Sequence, residues 1–182
     1  RVTENDRNVP TYYAVVAKGA KNPLFEILHQ LGLRGHCAHN KFIPKEYLTA
    51  SRSDRLQLLA GLLDSDGFFD GHCLEITTQS RELAGDIVFL ARSLGFMANC
   101  HEKYCACQTG AGGWYYRVHI SGDLSPIPCR RKRHVFHVRQ QKKNVLRTGF
   151  SVEILSEDDF YGFELDGDHL YVDGNFVVHH NT

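Results

Sequence analysis

The chain has 182 residues, 42% of them apolar, and a formal net charge of zero. That is enough for one large or two small packed domains, and no apolar stretch is long enough to span a membrane. The start carries no signal-peptide pattern, and six cysteines (Cys37, Cys73, Cys100, Cys105, Cys107, Cys129) are scattered rather than paired, which points to a reducing, intracellular setting.

Residues 11–18 alternate like a strand, and Asn22-Pro23 opens a helix whose Leu24, Ile27, Leu28 and Leu31 share a face. Ser53 or Asp54 can cap a second helix, in which Leu56, Leu59, Leu62 and Leu63 form an apolar stripe. Ala60 and Gly61 are small enough to let a partner helix approach backbone to backbone. That helix ends in Asp64 and Asp66, where the dipole disfavours anions. Two readings fit: a bound hard cation such as magnesium, or a plain Asp-Gly turn closing a buried helix. Next come a strand over 73–79, with Leu74, Ile76 and Thr78 on one side, and a helix over 80–94, capped by Ser80 and stopped by Gly95. Met97 to Tyr104 and Trp114 to Ile120 read as a hairpin joined through Thr109-Gly110-Ala111-Gly112-Gly113, and 67–71 can add a further strand. Cys100, His101, Cys105 and Cys107 lack the spacing of a zinc site.

The neutral total hides a charge switch. No acid lies between Asp123 and Glu153, where Arg130, Arg131, Lys132, Arg133, Arg139, Lys142, Lys143 and Arg147 fall; after Arg147 come eight acids and no Lys or Arg. Such a switch marks a boundary between a polyanion-binding part and an acidic one, a solvated basic loop being the plain alternative. The final residues, behind the apolar run Val172, Phe176, Val177 and Val178, read His179-His180-Asn181-Thr182. An asparagine amide can attack its own main-chain carbonyl and release the next residue as an amine. The reaction needs a proton donor for the leaving nitrogen and a donor for the oxyanion. His180 can serve as one and His169 or His179 as the other, while the Thr182 hydroxyl can accept an acyl group.

Residues 59–67, Leu-Ala-Gly-Leu-Leu-Asp-Ser-Asp-Gly, resemble the LAGLIDADG motif of homing endonucleases. Lys41-Phe42-Ile43-Pro44 stands ahead of it as a K-x-I-P block does in inteins that carry such a nuclease. The tail, from Gly149-Phe150 through Asp158-Asp159-Phe160-Tyr161-Gly162-Phe163 to His180-Asn181, is similar to the C-terminal splicing blocks of inteins, the eukaryotic fungal vacuolar ATPase type above all. Asn22-Pro23-Leu24-Phe25, Leu90 to Gly95 and Tyr116 to Gly122 resemble segments of the same group in the same order.

The resemblance implies an α+β chain: a mixed α/β LAGLIDADG saddle followed by the C-terminal β segment of a Hint (hedgehog/intein) all-β splicing domain. On that expectation residues 1–40 end a first LAGLIDADG module and 41–148 form a second with its basic C-terminal run. Residues 149–181 belong to the splicing domain, and Thr182 is the first residue of the downstream extein. The expected partners are a double-stranded DNA target, the N-terminal intein half and the host exteins. No T-x-x-H block occurs, and Arg1 cannot start an acyl shift. Location follows the host protein, in cytoplasm or nucleus.

The resemblance assigns Asp66 to Mg²⁺ and Lys41 and Lys132 to the scissile groups. Asn181 cyclises, His180 assists, His169 is the block histidine, and Thr182 attacks the upstream ester; splicing itself needs no cofactor. His179 is left without a role. Alternation puts Glu75, Thr77, Gln79, Asn99, His101, Lys103, Tyr115, Arg117 and His119 on the face that would meet DNA, with Arg130, Arg131 and Arg133 as further contacts. Gly162 stands where many inteins have Asp or Cys, the eukaryotic subgroup resembled here commonly having Gly, and 124–129 is short for the expected terminal helix. The alternatives are a splicing-only intein whose LAGLIDADG insert is a degenerate DNA-binding module, and a free-standing nuclease or regulator with an accidental tail.

Overall fold

A computed structural model describes residues 2–4, 10–12, 15–106, 112–130, 144, 147, 149–159 and 161–181. Strands β1 (Val2–Glu4) and β2 (Pro10–Tyr12) form an antiparallel ribbon. Residues 15–17, expected to continue that strand, are outside it and exposed. Helix α1 (Pro23–Gln30) opens where Asn22 caps it, its side-chain oxygen accepting the Leu24 N–H at 3.0 Å. Its Leu24 and Ile27 stay about half exposed, at 48% and 50%.

The packed unit begins at α2 (Lys45–Leu48) and α3 (Arg52–Asp66), followed by β3 (Gly67–Phe69), β4 (Leu74–Thr78), α4 (Arg81–Ser93), β5 (Met97–Ala106) and β6 (Gly112–Ser121). The four strands make one antiparallel sheet in the order β3-β4-β6-β5. Helices α3 and α4 cover one face. Leu59, Leu63, Leu74, Ile87, Leu90, Val118 and Ile120 are fully buried between helices and sheet, each contributing about 1.5–3 kcal/mol through its burial.

The cap of α3 is neither Ser53 nor Asp54 but Ser51. Its hydroxyl accepts the Asp54 N–H at 3.2 Å and donates to Asp54 Oδ2 at 2.6 Å, so the helix starts earlier than expected. Its buried stripe is Leu56, Leu59, Ala60 and Leu63; Leu62 is only partly covered. Helix α4 starts on Ser80, which accepts the Leu83 N–H at 3.1 Å. It ends in a Schellman arrangement, Phe96 N–H to Ala91 carbonyl and Gly95 N–H to Arg92 carbonyl, with Gly95 at φ +90°.

In the tail, β7 (Leu170–Val172) and β8 (Val178–His180) form a two-stranded hairpin. The single apolar run expected there is divided, because Phe176 and Val177 belong to the turn and Phe176 takes φ +63°. The turn rests on α4. Arg92, fixed by two hydrogen bonds to the Ala98 carbonyl, donates to the Asn175 carbonyl and side chain at 3.4 and 3.3 Å, and Phe176 meets Phe89 edge-on at 4.9 Å. No other strand occurs among the described residues of 149–181, and Phe150, Val152, Ile154, Leu155 and Tyr161 are all more than 80% exposed.

Candidate functional site

One face of the sheet packs on the helices, leaving the other open, and the pleat decides which side chains lie there. Leu74, Ile76, Ala98, Val118 and Ile120 are buried, so Glu75, Thr77, Asn99, His101, Lys103, Tyr115, Arg117 and His119 share the opposite face. Register sets them side by side: Glu75 and Asn99 both oppose His119, Thr77 and His101 both oppose Arg117, and Lys103 opposes Tyr115. The outcome is a polar surface with a charged centre. Arg117 Nε lies 2.8 Å from Glu75 Oε1 as a charge contact, although its N–H is not aligned for a hydrogen bond, and His119 Nδ1 lies 3.7 Å from Glu75 Oε2. Glu75 was expected among the base contacts; its carboxylate lies against Arg117 and His119. Arg131, Lys132 and Arg133 lie outside the described residues. Arg130 is exposed, and its backbone N–H donates to Asp64 Oδ2 at 2.8 Å.

Helix α3 carries its acids to the rim of this sheet. Asp66 is the last helical residue and is exposed, while Asp64 is half-buried against residue 130. The chain can pass directly from helix to β3 because Gly67 has no Cβ; a methyl there would sit 2.5 Å from the Leu63 carbonyl oxygen. Gly61, six residues back in the helix, faces open space.

Lys41 is exposed, but its backbone is held from two sides. Ser80 Oγ, fully buried, donates to the Lys41 carbonyl at 2.5 Å, and Ile43 N–H donates to Asp86 Oδ2 at 2.7 Å. Burial pushes the Asp86 carboxyl up from its usual range, against the Ile43 hydrogen bond. Ser80 reads in the sequence only as a helix cap, and nothing local signals its tie to Lys41 or that of Asp86 to Ile43.

The tail residues converge at the open end of the β7–β8 hairpin. Asn181 N–H donates to the His169 carbonyl at 2.8 Å, and Asn181 Nδ2 donates to the Phe163 carbonyl. His169 takes φ +55°, which turns it back over the strand end, and its ring lies 5.9 Å from that of His180. His179 points the other way, to Asp173. Thr182 lies outside the described residues.

Against known proteins, the helix, sheet and motif together have one assignment. Residues 53–125 match the LAGLIDADG-like domain. The match supports a homing-endonuclease-type module over this stretch. Over 163 residues the chain is 29% identical to the replicative DNA helicase DnaB of Mycobacterium intracellulare, covering 85% of this chain but 27% of that protein. It is 38% identical over 99 residues to the replication factor C small subunit of Methanocaldococcus jannaschii (54% of this chain, 5% of that protein). It is 30% identical over 166 residues to the ATP-dependent DNA helicase Hel308 of Thermococcus kodakarensis (81% and 15%). The chain thus spans about a quarter or less of each of these relatives.

LAGLIDADG endonucleases generally use divalent metal ions, and the donor set at α3 suits a hard one. Magnesium takes one or two carboxylates and keeps several waters and phosphate oxygens, so the single exposed Asp66 carboxylate fits as a partial shell. No group of three or more ligating side chains that could hold a metal occurs among the described residues. The cation would therefore need further oxygens from DNA or a second module. No described helix is long and apolar enough to cross a membrane.

Proposed function

We propose that this chain is the C-terminal portion of a bifunctional intein, combining autocatalytic release at Asn181 with site-specific cleavage of double-stranded DNA. The observation that carries the splicing half is the seat of Asn181. Its main-chain N–H donates to the His169 carbonyl, its carboxamide donates to the Phe163 carbonyl, and the His169 and His180 rings lie 5.9 Å apart at the same end of the hairpin. In the reaction Asn181 Nδ2 attacks the Asn181 carbonyl carbon and a C–N bond forms. The peptide bond to Thr182 breaks, and the proton lost by Nδ2 is matched by one delivered to the leaving amine. His180 assists that departure and His169 orients the site. Thr182 Oγ would earlier have taken the upstream acyl group and, once released, passes it to its own nitrogen.

Two further observations support the reading. Exposed apolar side chains from Phe150 to Tyr161 suit strands that a complementary N-terminal half would cover in a Hint β domain. The same chain also matches helicases and a replication factor over a small part of each, as an element inserted into different hosts would.

In the nuclease half, Asp66 would hold Mg²⁺, which would stabilise charge at the scissile phosphate. Lys41 and Lys132 would act at the reacting groups, the open sheet face would read the DNA, and Arg130, Arg131 and Arg133 would contact its backbone. Two motif helices must pair, and Gly61 offers the close approach. The test is intact mass of this chain fused to a downstream reporter and incubated with a complementary N-terminal half. Release or ligation is expected, lost in Asn181→Ala but kept in Asp66→Asn, which loses only DNA cutting. An unchanged mass in the wild-type fusion would overturn the splicing half.

A further inference from the structure

The tail carries two adjacent histidines, and of the two it is the ring of His180 that lies near the His169 ring, 5.9 Å away. His179 projects from the other side of β8 and lies directly across from Tyr171 on β7, the two rings stacked at 5.2 Å and 23°. Its Nε2 lies 3.2 Å from Asp173 Oδ2. Asp173 itself organises the hairpin turn, its Oδ1 accepting the Asn175 N–H at 2.8 Å and the Val177 N–H at 2.9 Å. Tyr171 in turn meets the Phe163 ring edge-on, centroids 5.0 Å apart. The Phe163 carbonyl is the group that holds Asn181 Nδ2. A continuous line of packed groups therefore runs from the turn, through His179, Tyr171 and Phe163, to the side-chain nitrogen of Asn181.

We infer that His179 is a positioning residue for Asn181: its ring, stacked on Tyr171, fixes the edge-on Tyr171–Phe163 contact and so the carbonyl that holds the Asn181 carboxamide. The inference rests on the cleavage reading above and adds a residue to it. The physical reason lies in the geometry of the attack. An asparagine side chain visits several rotamers, and only a narrow set brings Nδ2 towards its own carbonyl carbon; holding the amide from outside the backbone raises the fraction ready to react. Phe163 is in a segment without strand partners of its own. Its described ring contact is with Tyr171, so the stack is what ties it to the hairpin. The role needs a flat ring at position 179 rather than an acid or base, which separates it from His180.

The experiment measures the rate of reporter release from the fusion of this chain, in the presence of the complementary half, for wild type, His179→Ala, His179→Phe and Tyr171→Ala. His179→Ala and Tyr171→Ala are expected to slow release about tenfold, the size that loss of an aligned ring contact supports. His179→Phe keeps the stack and is expected to stay within about threefold of wild type. A second readout does not depend on turnover. In chains blocked by omitting the complementary half, the two carboxamide proton signals of Asn181 are expected to move together towards those of a free side chain in His179→Ala, and not in His179→Phe. Wild-type release with His179→Ala equally fast, or an unmoved carboxamide, overturns the positioning role alone. His179→Phe as slow as His179→Ala also overturns it, since the ring would then not be what matters. No release from the wild-type fusion overturns the cleavage reading and this role together.

Discussion

Gly61 within helix α3 and Gly67 just after it should respond to the same substitution in opposite directions. At Gly67 the backbone is extended (φ −76°, ψ 149°), a conformation any residue accepts, so the obstacle to Gly67→Ala is steric alone. The added Cβ would lie 2.5 Å from the Leu63 oxygen, 2.7 Å from Leu63 Cα and 3.0 Å from its carbonyl carbon. These are backbone atoms of a buried helix, and carbon contacts relax only near 3.5–4.0 Å, so helix end and strand must part by roughly 0.5–1 Å. Overpacking of this kind costs about 1–3 kcal/mol. The Gly67 N–H to Leu63 carbonyl bond is lost with it, adding about 0.5–1.5 kcal/mol. A total of about 2–4 kcal/mol lowers Tm by about 4–16 °C in a chain of this size. Asp66, the neighbouring residue, is displaced with the helix end. At Gly61 a Cβ meets nothing within 4 Å, and replacing a mid-helix glycine by alanine gains about 0.5–1 kcal/mol. Gly61→Ala should therefore raise Tm by about 1–4 °C while reducing DNA cutting, because the methyl stands where a second motif helix must approach. Thermal unfolding by circular dichroism and a plasmid-cutting assay read both effects. A fall in Tm for Gly61→Ala, or an unchanged Tm for Gly67→Ala, would refute the reasoning.

Ser80→Ala removes both the α4 cap and the tie to the Lys41 carbonyl, and should cost about 1–3 kcal/mol in chemical denaturation; Ser80→Thr recovering nothing beyond the alanine variant would count against the hydroxyl. Burial, with Asp64 nearby, pushes the Cys129 thiol up to about 11, so at pH 8 it should alkylate more slowly than exposed Cys37 in peptide-mapped mass spectrometry. Equal rates would show that Cys129 is not shielded. The Asp86 carboxyl is raised by burial, so its neutral form favours the fold: that contribution is full below the unfolded carboxylate value and is lost as pH rises through the higher folded one. Asp86→Asn should then stabilise more at pH 7 than at pH 4, and an equal or larger gain at pH 4 would contradict the assignment.

Local chemistry was legible where the signal sits within a few residues. The turn of α1 at Asn22-Pro23, the stop at Gly95 and the alternation of β4, β5 and β6 all read directly, because caps and pleats act over one to four residues. The start of α3 was misplaced because Ser53 and Asp54 read as caps, whereas Ser51, a residue equally able to cap, is the one that does so. The tail read as one apolar run because Val172, Phe176, Val177 and Val178 look alike as side chains; Asp173 capturing the Asn175 and Val177 N–H groups is what folds them into a hairpin.

The sequence by itself determined the motif, the His-Asn tail and the set of side chains that share the open sheet face, since identity and period-two alternation need no partner. Only the tertiary structure decided what those side chains do to one another. Glu75 is turned to Arg117 and His119 by strand register, Lys41 is held by a serine 39 positions away, and His179 is stacked on Tyr171. Each is a contact between residues far apart in the chain or across a pairing, and such contacts are set by how the elements pack rather than by any local pattern.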